Sequence, residues 1–104
     1  MSRASRWSDD ELIVLIAHYR RYGLVALDDS HLICQAFAAS IGRTASAVDR
    51  QARNLDDLVR KREIQHGGKP LADLWKYYRA RNMWGLYKDA NAAIDRNGWA
   101  INKF

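Results

Sequence analysis

Cysteine, proline and long apolar runs are scarce in this chain. One cysteine, Cys34, among 104 residues rules out an internal disulfide and suits a reducing compartment. One proline and six glycines exclude a collagen-like or low-complexity chain. No apolar run approaches the roughly 18 residues a membrane span needs, so no membrane partner is expected. No stretch alternates with period two, so no strand is expected. The basic opening Met1–Arg6 lacks the hydrophobic segment and cleavage site of a secretory signal, and the expected location is cytoplasmic, in association with a bacterial nucleoid. Catalytic signatures are missing as well. There is no G-x-S-x-G and no dinucleotide-binding glycine turn, and Gly67-Gly68-Lys69 has neither the strand before it nor the Ser/Thr after it that a phosphate loop requires. Neither an enzyme nor a cofactor is expected.

What is present is 48% apolar residues, with four Trp and five Tyr, enough for the core of one domain over residues 1–104. The net charge of +5 is unevenly spread. Residues 1–42 carry four Arg against five acids, and residues 43–81 carry ten Lys/Arg against five acids. The basic excess therefore sits on the middle of the chain, as an electrostatic footprint for phosphate would.

Helical periodicity accounts for most of the sequence. A first helix is predicted from about Asp9 to Tyr22, opened by the capping box Ser8-Asp9-Asp10-Glu11 and closed at Gly23. Its apolar positions include Leu12, Ile13, Val14, Leu15, Ile16 and Ala17, an arc wider than one partner helix can cover. After a short connection, Leu24 to Asp29, a second helix is predicted over about Ser30 to Ser40, with Leu32, Ile33, Ala36, Phe37 and Ile41 inward. A third follows Gly42, and the turn-like Asn54, Asp56 and Asp57 predict a break near residues 54–56. His66-Gly67-Gly68-Lys69-Pro70 reads as a linker, with Pro70 at the first position of a helix over Leu71–Arg81 that buries Leu71, Leu74, Trp75 and Tyr78. A last helix, about Trp84 to Arg96, offers Tyr87, Ala90 and Ile94, and the tail Trp99–Phe104 carries aromatic anchors. The expected fold is all-α: a tri-helical, helix-turn-helix-like unit over residues 7–66 and a helical C-terminal extension over 70–104 packed on it. Trp75, Tyr78, Tyr87 and Ile94 would then cover Ile13, Val14 and Ala17.

Ile41 to Leu55 is the segment that points to a function. Gly42 can adopt the left-handed conformation that stops a helix, and Thr44 can cap the next one. Ala45, Val48, Ala52 and Leu55 recur at helical spacing as an inward stripe. Ser46, Asp49, Arg50 and Arg53 fall away from it. Small polar residues and arginines on the outer face of such a helix suit base edges in the major groove of double-stranded DNA. Arg43, Arg60, Lys61 and Arg62 are the expected phosphate contacts. A homodimer, also allowed by the broad apolar arc, would read two half-sites.

Trp7-Ser8-Asp9-Asp10-Glu11-Leu12, Ile41-Gly42-Arg43-Thr44 with Ala47-Val48, Asn54-Leu55-Asp56-Asp57-Leu58, and Trp75 in Asp73-Leu74-Trp75 carry a resemblance. The first 80 residues, about three quarters of the chain, resemble the helical module at the N-terminus of many bacterial HNH endonuclease-type proteins, and more distantly Myb/SANT-like tri-helical domains. The resemblance implies a DNA-associated helical module, with transcriptional regulation in a phage or mobile-element setting as the expected role. It does not carry nuclease activity over, because only His66 lies beyond residue 31 and no β-hairpin follows it to build the His/Asn/His metal motif. Myb/SANT-like folds also bind proteins. The alternative is therefore an interaction adaptor whose aromatic C-terminal third docks on a nuclease, a polymerase or another factor.

Other residues have plainer readings. His31 and Cys34 share a helix face, but zinc needs four ligands and no second cysteine exists, so they read as an ordinary histidine and a buried thiol. Asp9, Asp10 and Glu11 are explained by capping and the helix dipole. Trp7 is expected to staple the entry of the first helix, and Trp84 and Trp99 are read as core.

Overall fold

A computed structural model describes residues 6–61 and 68–104. Among them there are five α-helices and no strand: α1 Asp9–Tyr22, α2 Leu32–Ile41, α3 Ala45–Val59, α4 Gly68–Arg79 and α5 Met83–Asn97, with a 3₁₀ turn at Val25–Leu27. No helix among the described residues is long and apolar enough to cross a membrane. The architecture is the tri-helical unit with two further helices packed on it.

The caps are set by local sequence. The Ser8 hydroxyl accepts the Glu11 amide at 3.1 Å while Glu11 accepts the Ser8 amide at 2.8 Å, closing the capping box of α1. Thr44 caps α3 by accepting from the Ala47 amide at 3.1 Å, and Asn82 caps α5 by accepting from Gly85 at 3.1 Å. Pro70 lies in the first turn of α4 rather than at its first position, since the helix already begins at Gly68. The amide it lacks would have no intrahelical partner there in any case.

α1 is the spine of the molecule. Leu12, Val14, Leu15, Ile16 and Ala17 are all buried, on more than one side of the helix. Val48, Ala52 and Leu55 of α3, with Cys34, Phe37 and Ala38 of α2, form one wall of the core. Leu86, Ala90, Ala93 and Ile94, spaced i, i+4, i+7 and i+8 on α5, form the other, and α5 packs most extensively against α1. The broad arc of α1 is thus covered from within the chain. Arg96 binds Asp10 at 2.6 and 3.2 Å, and Asn97 donates to Asp10 at 2.8 Å, which pins the C-terminal end of α5 to the start of α1. The tail folds back: the Phe104 amide donates to Asn91 at 2.7 Å, and the Ser40 hydroxyl donates to the Ala100 carbonyl at 3.1 Å.

Three expectations are corrected. Leu32 is 78% exposed and Ala36 is exposed as well. α2 begins one residue after its His31 cap, and its inward line is Cys34, Phe37, Ala38 and Ile41, so Leu32 and Ala36 lie on the opposite side. The break near Asn54–Asp56 does not occur, because Asp56 has partners that offset its poor fit to a helix interior: it accepts from Tyr19 Oη of α1 at 2.8 Å and, one turn along its own helix, from Arg60 Nε at 2.9 Å. Trp84 is 78% exposed rather than core, and Trp99 is half-buried.

Candidate nucleic-acid interface

α2 and α3 are joined by three residues. Gly42 takes the left-handed conformation at φ 75°, and the Arg43 amide donates back to the Ala38 carbonyl at 2.9 Å, closing the end of α2. Thr44, extended at φ −81°, then opens α3. A helix pair with so tight a turn holds the start of its second helix at a fixed angle.

Arg43 serves this turn rather than solvent. Its guanidinium donates through Nε to Glu11 Oε2 at 2.8 Å and through Nη2 to Glu11 Oε1 at 2.9 Å. It also donates to the Arg6 carbonyl at 3.1 Å and lies 4.7 Å from the centroid of the Trp7 ring. The side chains of Arg43 and Glu11 are 8% and 10% exposed. Arg43 is therefore withdrawn from the phosphate-facing set. Burial pushes the Glu11 carboxyl upward, but the hydrogen bonds from Arg43 and Ser8 and the charge of Arg43 outweigh it and hold Glu11 below the usual range.

Asp49 is corrected in the same way. It is buried, accepts the Asp29 amide at 2.8 Å, and holds Arg53 Nε across one helical turn. It faces the loop after the 3₁₀ turn instead of a base edge. Asp28, Asp29 and Asp49 bring their carboxylates together there, with all three ligand atoms within 4.8 Å of one another. Arg53 lies over this acidic group, its Nη2 3.7 Å from Asp28.

The outward face of α3 that remains is compact. Ser46 and Arg50 are exposed, as is Thr44 just before them. Arg53 is 64% exposed but shared with Asp49 and Asp28. Arg50 has no ion pair or hydrogen bond among the described residues. Asn54, one turn beyond Arg50, lies half-buried on the adjoining arc, with its amide donating to Gln51 at 3.5 Å. Its amide chemistry suits a base edge, and the signal was its i+4 spacing from Arg50. Reading it as a helix breaker hid it. At the far end Arg60 is exposed and bonded to Asp56, and Lys61 is exposed in a left-handed conformation at φ 61°. Arg62 lies outside the described residues.

The residues considered for metal or nucleophilic chemistry have structural partners. His31 caps α2 through Nδ1, which accepts the Ile33 amide at 3.1 Å. Cys34 donates to the Ala45 carbonyl at 3.5 Å, and burial pushes its thiol up to about 11, far from a reactive thiolate. No protein-family profile matches the sequence, and comparison with curated proteins and with solved structures gives no match.

Proposed function

We propose that this chain binds double-stranded DNA, with the outward face of α3 in the major groove, and acts as a small sequence-specific transcriptional regulator associated with a bacterial nucleoid. The observation that carries the reading is Arg50. It is exposed on a capped helix that follows a three-residue turn, and no carboxylate among the described residues neutralises it. A helix about 10–12 Å across fits a groove about 12 Å wide, and an arginine at mid-helix can fork onto guanine O6 and N7. Ser46 and Thr44 are small enough to let the backbone approach, and Arg53 adds a second, partly neutralised guanidinium. Lys61 and Arg60 stand at the C-terminal end of α3, where phosphate contacts would orient the helix without reading sequence. Arg62, next in the chain, belongs to the same proposed set. The resemblance to the N-terminal module of HNH endonuclease-type proteins, and to Myb/SANT-like domains, points the same way and supplies the phage or mobile-element setting. A homodimer reading paired half-sites is part of this proposal, through a surface other than the arc of α1, which α5 covers.

Selection from random duplexes tests the reading, followed by affinity measurement at several salt concentrations. The expected outcome is an enriched motif, bound with an affinity that falls steeply as salt rises. Absence of any enriched motif, or affinity indifferent to salt, overturns it. A second reading, a docking adaptor, is favoured by one observation: the exposed indole of Trp84 on α5.

A further inference from the structure

The surface around Trp84 is built differently from the rest of the molecule. Its indole is 78% exposed at the start of α5, beside Met83 at 47%. A groove of about 590 Å³ on one side is lined by Arg21, Asn82, Met83, Trp84, Tyr87 and Phe104. A second, of about 460 Å³, adjoins it across Trp84 and Tyr87 and adds Gly85, Lys88 and Asn91. Trp84 is the ridge between two apolar hollows. Tyr87, common to both, stacks on Phe104 with centroids 5.3 Å apart and planes at 10°, and Asn91 bonds both the amide and the carbonyl of Phe104.

Charge decides between occupants. Arg21 stands at one groove, its guanidinium carbon 5.9 Å from the Tyr87 centroid, and Lys88 stands at the other. No side chain lining either groove is a carboxylate, so the side-chain charge there comes from Arg21 and Lys88. A second copy of the chain would bring Arg21 and Lys88 against the same cations, a like-charge arrangement that disfavours self-association. Single-stranded nucleic acid would need a track of cations along its backbone, and two cations flanking one indole do not form one. A protein surface with an apolar side chain for each hollow and carboxylates at its edges meets both requirements. Trp, Tyr, Met and Arg are also the residues enriched where partner proteins anchor.

We infer that the Trp84 ridge with its two flanking grooves is a docking site for an acidic segment of a partner protein that carries apolar anchor residues. The site rests on α5 and the tail, with one cation from α1, and stands whether or not α3 engages a duplex.

Peptides selected from a random displayed library against the full chain supply the probe, and their synthetic forms are titrated by fluorescence anisotropy. The expected result is enrichment of sequences with Asp or Glu around an aromatic or aliphatic residue. Trp84→Ala should weaken the best of them by about tenfold or more. Lys88→Glu leaves the indole in place and should weaken it as well, and added salt should do the same. Circular dichroism of Trp84→Ala should match wild type, because the side chain is largely outside the core. The inference is overturned if no sequence is enriched, if the enriched peptides lack carboxylates, or if Trp84→Ala binds them unchanged. It is overturned equally if oligothymidine binds and Trp84→Ala abolishes that binding. A concentration-dependent dimer dispersed by the same substitution would also overturn it.

Discussion

Arg43 in the turn between α2 and α3 is clamped by two hydrogen bonds, 2.8 and 2.9 Å, to Glu11, the carboxylate that closes the capping box of α1. One acid thereby fixes the start of the spine helix and the angle at which α3 is presented. Removing the cation strands a buried carboxylate. Arg43→Ala should cost about 3 kcal/mol of stability, read as a lower urea midpoint with unchanged slope. Arg43→Lys should recover little, since an ammonium supplies neither the two-pronged contact nor the stacking on Trp7. Neither change should alter the salt dependence of DNA binding by the folded fraction. A shallower salt slope in Arg43→Ala would return Arg43 to the phosphate-contacting set.

Arg50 and Arg53 should separate. On selected DNA, Arg50→Ala should cost roughly 1–3 kcal/mol and relax the preference at one base position. Arg53→Ala should cost less, because Asp49 and Asp28 already engage its guanidinium and part of any gain at a guanine is spent on leaving them. Lys61→Ala should weaken all sequences alike and reduce the salt slope by about 1. Titrations of the three variants on one selected and one scrambled duplex check this, and equal binding by wild type and an Arg50→Ala/Arg53→Ala double variant would sink the docking model.

Where the physics is local, the fold was legible before the structure. Ser8 with Glu11, Gly42 with Ala38 and Ala39, Thr44 with Ala47, and the 48/52/55 stripe all depend on residues three or four apart, and all occur as expected. The covering of α1 by the C-terminal helices was legible for another reason: an apolar arc that wide had to be buried by something. What failed depends on distant partners. The inward line of α2 is out of phase with its apolar pattern because ten residues, mostly apolar, hold little rotational information. Arg43 and Asp49 looked like surface residues until Glu11, 32 positions away from Arg43, and the Asp29 amide, 20 from Asp49, came into view. Trp84 shows the converse, a core-type residue left outside.

Val48 is fully buried in the stripe of α3, with α1 and α2 supplying the core around it. Val48→Asp would place a carboxylate there with no partner. The expected loss exceeds about 4 kcal/mol, enough to unfold much of a domain of this size. Far-ultraviolet circular dichroism should show lost helix and a lower Tm. A folded variant with an unchanged Tm would mean that the faces of α3 are reversed.

His18 makes stability depend on pH. Its ring is buried, stacked on Phe37 at 4.4 Å and met edge-on by Phe104 at 5.0 Å, and Nδ1 donates to the Val14 carbonyl at 2.9 Å. Burial lowers its pKa below the ordinary 6.5, with the Val14 contact opposing weakly. Below pH 6.5 the unfolded chain takes up a proton that the folded chain refuses, so stability falls as pH drops toward the folded-state pKa and is constant in this respect above 6.5. His18→Phe should flatten that part of the profile. Urea midpoints between neutral and mildly acidic pH, compared for wild type and variant, measure it, and parallel profiles would exclude His18 as the cause.

The C-terminal helices complete the core, and their removal should be felt throughout it. Leu71, Leu86 and Ile94 are buried, and with Ala90 and Ala93 they cover the flank of the spine that α2 and α3 leave open. Burying one large aliphatic side chain is worth roughly 1.5–3 kcal/mol, and a whole domain of this size retains only about 5–15 kcal/mol. A chain ending at Gly68 loses three such side chains, the Arg96–Asp10 pair and the Phe104 contact with His18 together. Helix content should persist in part, near-ultraviolet dichroism should vanish, and thermal unfolding should lose its cooperativity. If that shortened chain instead unfolds as a sharp transition and binds selected DNA as tightly as the full chain, α4 and α5 are an appended arm, and the tri-helical unit is sufficient by itself.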